Sequence, residues 1–178
     1  MTDIGDEAFS QCSGLTSIIF IPNSVITIGN SAFQGCSGLT SLTIPNSSIS
    51  IGDYAFYNCI NIDSVIIGNG ISDIGRGAFE NCNMSYLSLN CNQIKSWFRG
   101  MKGISTVDIG NDVIVIGTWA FKDCTSLTTL NNCNGITEIG ESAFEGCTNL
   151  KSFNIPSCMK KIGNDAFQWL YLESSKQP

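Results

Sequence analysis

Histidine is absent from this chain of 178 residues, and only 13% of its residues are charged. Without histidine, the chain lacks the commonest general base, the usual partner of a nucleophilic serine or cysteine, and the commonest metal ligand. Carboxylates do not cluster along the sequence to replace it. We therefore expect no enzymatic activity, no bound metal ion and no cofactor.

Basic residues are also scarce, and their distribution is uneven. Residues 1–75 contain six acidic residues and no Lys or Arg, while all nine basic residues lie from Arg76 onward. With a net charge of −6, the chain has no basic stripe for binding phosphate backbones, so nucleic acid is not an expected partner. No apolar run approaches the roughly 20 residues needed to cross a bilayer, so no membrane span is expected.

What the chain does contain is a repeated segment, Ile-Gly-x-x-Ala-Phe-x-x-Cys-x-x-Leu, seen for example from Ile28 to Leu39 and from Ile139 to Leu150. Eight phenylalanines mark the repeat: Phe9, Phe33, Phe56, Phe79, Phe98, Phe121, Phe144 and Phe167. Their separations are 24, 23, 23, 19, 23, 23 and 23 residues. A fixed period near 23 residues predicts a stacked solenoid rather than a globule around one central core.

Each repeat also contains a short run of alternating apolar residues, which predicts a half-buried strand. In Leu39-Thr-Ser-Leu42-Thr-Ile44 we expect Leu42 and Ile44 to point inward and Ser41 and Thr43 outward. Equivalent inward sets are Leu15/Ile18/Phe20, Ile62/Val65/Ile67, Ile104/Val107/Ile109 and Leu150/Phe153/Ile155. Stacking these strands predicts a mainly β, right-handed leucine-rich-repeat solenoid with a parallel sheet on one face. Short extended or 3-10 segments are expected on the other face, with the Gly after each Ile at a tight turn that a Cβ would obstruct.

Nine cysteines follow the repeat closely. Six of them lie three residues after the repeat phenylalanine: Cys12, Cys36, Cys59, Cys82, Cys124 and Cys147. Met101 and Leu170 take that place in the other two repeats, which favours a buried column of reduced thiols, because free Cys behaves as a small hydrophobe. Disulfides between adjacent repeats are the alternative, since neighbouring strands lie only about 4.8 Å apart. The off-register Cys91, Cys133 and Cys158 are expected to be more exposed.

The full pattern, Ile-Gly-x-x-Ala-Phe-x-x-Cys-x-x-Leu-x-x-Leu-x-Ile-Pro, resembles the BspA-like (treponemal-type) leucine-rich repeats over residues 4 to about 170. The resemblance implies a surface or secreted protein of mucosal bacteria or protists, a group that includes adhesins for extracellular-matrix proteins or other microbes. We expect one solenoid of about eight repeats over residues 1–172, with an irregular unit at 83–102 and a polar tail at 173–178. We also expect an extracellular or cell-surface location and a chain that is a fragment of a longer exported protein.

The repeat is broken most strongly between residues 83 and 102. Trp97 takes the place of the repeat alanine, and Lys95, Arg99 and Lys102 gather three cations within eight residues. Because aromatic residues and arginine are the usual anchors of protein recognition, these four residues are the first candidate for a partner-binding site. The alternative is an irregular unit whose Trp fills space left by a deletion and whose lysines are merely solvated.

The outward face of the predicted sheet is a second candidate site. Its partner-binding candidates are Tyr86, Asp108, Asn131 and Asn154. The rest of the face is mostly Ser and Thr, which an exposed strand also carries without any binding role.

Together these features predict a non-enzymatic, adhesin-like module that binds a protein or a glycan. The alternative is a structural spacer within a larger surface protein, with no ligand of its own. No capping element precedes Ile4, and a solenoid needs capped ends, so we expect either further repeats upstream or end-to-end self-association.

Overall fold

The computed structural model describes residues 1–16 and 21–170, which wind into a stack of coils. We name each coil by its central phenylalanine. The strands are β1 (Asp3–Ile4), β2 (Thr27–Ile28), β3 (Ser41–Ile44), β4 (Ser50–Ile51), β5 (Ser64–Ile67), β6 (Asp73–Ile74), β7 (Tyr86–Leu89), β8 (Gln93–Ile94), β9 (Thr106–Ile109), β10 (Val115–Ile116), β11 (Thr129–Asn131), β12 (Glu138–Ile139) and β13 (Lys161–Ile162). Two 3-10 helices cover Ser96–Phe98 and Cys133–Gly135. The predicted mainly β leucine-rich-repeat solenoid is confirmed.

Among the described residues, the larger sheet has five parallel strands in the order β3-β5-β7-β9-β11. Its register is regular, since Leu42 pairs with Val65 and Val65 pairs with Leu87. In β3 the side chains of Leu42 and Ile44 are buried while Thr43 is exposed. This confirms the predicted alternation and places the apolar core directly behind the sheet.

The opposite wall carries two-residue strands in two separate parallel sheets, β1-β2-β4-β6 and β8-β10-β12-β13. Gly52 follows β4, and a Cβ there would lie 2.6 Å from the backbone nitrogen of Asn30 in the preceding coil. A Cβ on Gly140 would lie 2.4 Å from the backbone nitrogen of Thr118. Neither glycine has a positive φ. The need for glycine is confirmed, but its cause is the close approach of successive coils rather than a turn conformation.

A turn segment centred on the phenylalanine follows each short strand. In the Phe56 coil, Tyr54 and Asn58 adopt left-handed conformations with φ of 56° and 58°. The N–H groups of Tyr54, Phe56 and Asn58 donate to backbone carbonyl oxygens of the next coil at 2.9, 2.8 and 3.0 Å. We call these three hydrogen bonds between coils the turn ladder. The same ladder joins the Phe9, Phe33, Phe121 and Phe144 coils to the coils that follow them.

The phenylalanine rings stack along the axis of the core, and a repeat cysteine lies beside most of the contacts. The ring centroids of Phe33 and Phe56 lie 5.2 Å apart, and the Sγ of Cys59 donates to the carbonyl oxygen of Phe33 at 3.1 Å. Cys36, Cys82, Cys124 and Cys147 make the equivalent bond to the phenylalanine of the preceding coil. The repeat cysteine is therefore a hydrogen-bond donor as well as an apolar filler, a role that the sequence analysis missed.

All nine cysteines are free thiols, but two lie elsewhere than predicted. Cys12 is exposed rather than buried, because the Phe9 coil is the first of the described stack. Cys91 is fully buried rather than exposed. It lies three residues before Ile94, the same inward place that Ile71 holds relative to Ile74. Cys133 is half-buried and Cys158 exposed, as predicted.

The last predicted strand does not form. Residues 151–155 belong to no strand, and Ile155 is 64% exposed instead of inward. The predicted place of Asn154 on the sheet face is therefore wrong. The neighbouring strand β11 also ends early, because Asn132 holds the place of the inward Ile109 but adopts a φ of 61°. The predicted inward residues Ile18 and Phe20 and the predicted tail lie outside the described residues.

Candidate functional site

The Phe98 coil is four residues shorter than its neighbours, and most of the deficit falls on the wall opposite the main sheet. Ile74 follows Ile67 by seven positions, whereas Ile94 follows Leu89 by only five. Phe98 then follows Ile94 by four positions, where a regular coil has five. Because β7 keeps its register with both β5 and β9, the sheet is continuous while the opposite wall is not.

The shortened segment cannot continue the turn ladder. Ser96–Phe98 form a 3-10 helix, and the Trp97 N–H donates within its own coil at 2.8 Å. The left-handed residue that precedes phenylalanine in the other described coils is missing. As a result, the N–H groups of Gly77, Phe79 and Asn81 have no backbone acceptor among the described residues. The short strands β6 and β8 are likewise unpaired with each other.

This interruption opens a cleft of about 810 Å³ between the Phe79 and Phe98 coils, lined from residues 74–83 and 96–103. We call it the repeat-break cleft. The ring centroids of Phe79 and Phe98 lie 6.2 Å apart with a 26° tilt. A Cβ on Gly100 would meet no atom within 4 Å, whereas one on the equivalent Gly35 would lie 2.5 Å from the preceding coil. The volume falls in the range of about 300–1,000 Å³ that is common for ligand sites.

Three of the four residues predicted in the irregular unit line the repeat-break cleft: Trp97, Arg99 and Lys102. Trp97 is half-buried and packs edge-on against Phe98, with ring centroids 6.4 Å apart. It therefore fills part of the space left by the missing residues while one side faces the cleft. The guanidinium of Arg99 lies 5.4 Å from the ring centroid of Trp119 in the next coil, a contact that holds its position.

Lys95, the fourth predicted residue, lies outside the cleft lining. Its Nζ is 3.3 Å from the Oδ1 of Asp73 and 5.9 Å from the ring centroid of Trp97. Both partners are largely exposed, so this ion pair adds little to stability. Lys95 therefore supports Trp97 from outside and does not face a ligand in the cleft.

Two further charged residues, Arg76 and Glu80, line the cleft and were not identified from the sequence. With Arg99 and Lys102 they place three cations and one carboxylate on its walls, in a chain whose net charge is −6. The free N–H groups add further positive partial charge. The 19-residue spacing identified the irregular Phe98 coil. Arg76, Glu80 and the free N–H groups belong to the preceding Phe79 coil, whose sequence is regular.

The sheet-face candidates form a short hydrogen-bonded row. The hydroxyl of Tyr86 donates to Asp108 Oδ2 at 2.6 Å, and Asn131 Nδ2 donates to Asp108 Oδ1 at 2.7 Å. The hydrogen bond to Asp108 is the main reason that the pKa of Tyr86 is raised. The row joins three adjacent strands, but the Tyr86 hydroxyl and both Asp108 carboxylate oxygens already have partners. Asn154 does not join it.

The one thiol that lines the cleft is not activated for covalent chemistry. It belongs to Cys82, and burial raises the pKa of this thiol to about 12, which keeps it protonated at neutral pH. Within residues 1–16 and 21–170, no cluster of His, Cys, Asp and Glu side chains is suited to hold a metal ion. The same residues contain no helix long and apolar enough to cross a membrane. What the cleft offers is hydrogen-bond donors, cations and a half-buried aromatic side chain.

Known proteins of the same repeat class match this chain. A model of the BspA type leucine-rich repeat region matches residues 1–98 and 95–176, with six copies of the repeat. A leucine-rich repeat protein from Eubacterium ventriosum superposes with a TM-score of 0.73 at 23% identity, covering 89% of this chain and 43% of that one. The T. pallidum leucine-rich repeat protein gives a TM-score of 0.67 at 25% identity, covering 84% and 72%. No curated protein sequence matches the chain.

The chain thus spans less than half the length of the first of these structures. The repeat match nevertheless extends over nearly all of its residues, and both structures share its solenoid fold. The chain therefore belongs to the family of BspA-type leucine-rich repeat proteins.

Proposed function

We propose that this chain is a non-enzymatic, adhesin-like binding module of a cell-surface or secreted protein, and that its partner is another protein. The family supports a repeat module with an interaction surface. The repeat-break cleft is the observation that carries the proposal, because stacking alone gives no reason to open the solenoid and line the gap with Trp97, Arg99 and Lys102. A glycan is the alternative partner.

The cleft has the composition of a recognition site. Aromatic and arginine side chains dominate the energetics of protein interfaces, and both occur at its walls. Trp97 is packed against Phe98, so this side chain does not have to be ordered when a partner binds. The sheet-face row is a weaker candidate, since the Tyr86 hydroxyl and the Asp108 carboxylate at its centre are already paired with each other and with Asn131.

The proposed surface location depends on the family resemblance. The full-length gene product is expected to carry an export signal, and export is measured by surface labelling of intact cells. A full-length product without an export signal that remains inside the cell would contradict the location, although not the binding role.

The test of the binding role compares two triple variants. Trp97→Ala/Arg99→Ala/Lys102→Ala alters the cleft, while Tyr57→Ala/Lys151→Ala/Lys160→Ala removes one aromatic and two cations from outside the irregular unit. Both are measured by biolayer interferometry against purified extracellular-matrix and microbial surface proteins. We expect the cleft variant to lose at least about tenfold in affinity, equivalent to about 1.4 kcal/mol, and the control to bind like the wild type. Unchanged binding by the cleft variant would favour the spacer alternative.

A further inference from the structure

Building on the proposed function, we propose the chemical class of the partner: the repeat-break cleft binds a carboxylate side chain from an acidic segment of a partner protein. Three observations support this assignment. They are the free N–H groups of the Phe79 coil, the surplus of cations at the cleft, and the width of the gap.

The free donors are the N–H groups of Gly77, Phe79 and Asn81, all of which line the cleft. Their equivalents in regular coils each donate to a carbonyl oxygen of the next coil. Gly77 and Asn81 have φ of 63° and 61°. In the regular coils these alternate N–H groups all point towards the following coil, so in the Phe79 coil they face the cleft. Backbone N–H groups need an acceptor, and a carboxylate oxygen is a strong one.

The charges at the cleft select the same class of ligand. Arg76, Arg99 and Lys102 line it against a single carboxylate, that of Glu80. None of these three cations forms a salt bridge to a described acidic side chain. Arginine and lysine make charge-assisted hydrogen bonds to carboxylates, and arginine can do so with two parallel bonds. The first 75 residues would repel such a ligand, because they carry six acids and no bases.

The width of the gap decides which part of the partner enters. At the core end of the cleft the ring centroids of Phe79 and Phe98 are 6.2 Å apart, whereas a chain inserted between the two coils there would require about 10 Å, two interstrand spacings. The main chain of the partner must therefore remain at the mouth of the cleft while a side chain enters. The half-buried Trp97 and Met101 provide apolar surface for the methylene stem of an Asp or Glu side chain.

The probe is a fluorescent peptide of about nine residues with Glu at alternate positions among Ser and Gly, and its control has Gln in place of every Glu. We expect the Glu peptide to bind at least about tenfold more tightly than the Gln peptide. In nitrogen–proton correlation spectra, it should shift the amide signals of Gly77, Phe79 and Asn81. The variant Arg99→Gln/Lys102→Gln should weaken binding about tenfold or more. No binding at about 1 mM, or equal binding of both peptides, would overturn the assignment.

A segment replacement separates the N–H donors from the cations. Replacing residues 90–98 with residues 110–121 adds three residues and restores the regular spacing between the end of β7 and the phenylalanine. It keeps Arg76, Arg99 and Lys102 but puts an alanine in the place of Trp97. The donors then regain acceptors, so we expect peptide binding to be lost. If the replaced protein binds the peptide like the wild type, the donors are not the site and the assignment fails. If the replacement does not fold, the amide shifts of the wild-type protein decide the question.

Two outcomes distinguish this inference from the proposed function. If a partner protein requires Trp97, Arg99 and Lys102 but no acidic peptide binds, the binding role survives and the carboxylate assignment fails. If a sulfated oligosaccharide shifts the Gly77, Phe79 and Asn81 signals while the Glu peptide does not, the site recognises a glycan anion and the assignment also fails.

Discussion

The ring centroids of Phe79 and Phe98 lie 6.2 Å apart with their planes tilted by 26°, whereas those of Phe56 and Phe79 lie 5.4 Å apart and are within 3° of parallel. This wider and tilted ring contact occurs where the coil is shortest and where the turn ladder stops. The main sheet passes the same point without a change of register. The solenoid is therefore opened along one wall, while the other wall holds the two halves together.

Restoring the length of the Phe98 coil should stabilise the protein. In the replacement of residues 90–98 by residues 110–121, the N–H groups of Gly77, Phe79 and Asn81 gain acceptors in the next coil. Three hydrogen bonds at about 0.5–1.5 kcal/mol each predict a gain of about 2–4 kcal/mol in the free energy of unfolding. Urea denaturation monitored by circular dichroism measures it. A replaced protein that folds but is no more stable would show that the break costs the solenoid nothing.

The glycine after each short strand should be indispensable within the stack and dispensable at its front. A Cβ at Gly52 would lie 2.6 Å from the backbone of the preceding coil, whereas a Cβ at Gly5 would meet nothing within 4 Å. We expect Gly52→Ala to lower the free energy of unfolding by about 2–4 kcal/mol and Gly5→Ala to change it by less than about 0.5 kcal/mol. Equal effects in thermal denaturation would refute the explanation by close approach of coils.

The repeat cysteine should stabilise the protein through both packing and its hydrogen bond. Cys124 is fully buried and donates to the carbonyl oxygen of Phe98 at 3.1 Å, while Cys12 holds the same repeat position but is exposed. Cys124→Ala is expected to cost about 1–3 kcal/mol, and Cys12→Ala less than about 0.5 kcal/mol. Chemical denaturation of both variants tests this, and a neutral Cys124→Ala would remove any structural role for the thiol.

Stability should fall at alkaline pH because burial raises the pKa of Cys59, Cys82 and Cys147 from 9.0 to about 12. The folded state keeps these thiols protonated while the unfolded chain loses its protons above about pH 9. The free energy of unfolding should therefore be unaffected by the thiols below about pH 8 and decline between about pH 9 and 12. The slope is at most about 1.4 kcal/mol per pH unit for each thiol.

Denaturation curves between about pH 7 and pH 10.5 measure this decline, and Cys59→Val should make it shallower by removing one buried thiol. A free energy of unfolding that is constant or that rises over this interval would contradict the burial of the cysteine column.

The fold was predictable because each coil repeats its inward residues, such as Leu42 and Ile44. The same apolar pattern recurs in several repeats, so one irregular position does not change the predicted fold. The exceptions were single residues that change the local backbone. Asn132 ends a strand because its side chain is polar and its φ is positive, and no neighbouring repeat carries a matching signal. The glycines were identified correctly but for the wrong reason, since the approach of two coils is not visible within one repeat.

The candidate site was predictable only in part, because its side chains and its backbone donors lie on different coils. The break in the pattern identified Trp97, Arg99 and Lys102 directly. The free donors of Gly77 and Asn81 belong to a coil whose own sequence is regular, and they are unpaired only because the following coil is short. The 19-residue spacing predicts a short coil, but it predicts unpaired donors in the preceding coil only when the hydrogen-bond pattern between regular coils is also known.

Amide hydrogen exchange tests the break in the turn ladder most directly. The measurement compares the amides of Gly77, Phe79 and Asn81 with those of Tyr54, Phe56 and Asn58 one coil earlier, at the same repeat positions. Because the first three lack acceptors and the second three donate to the next coil, we expect protection at least about tenfold lower in the first group. Equal protection of the two groups would show that the Phe79 and Phe98 coils are joined like all the others, and would contradict the existence of the cleft.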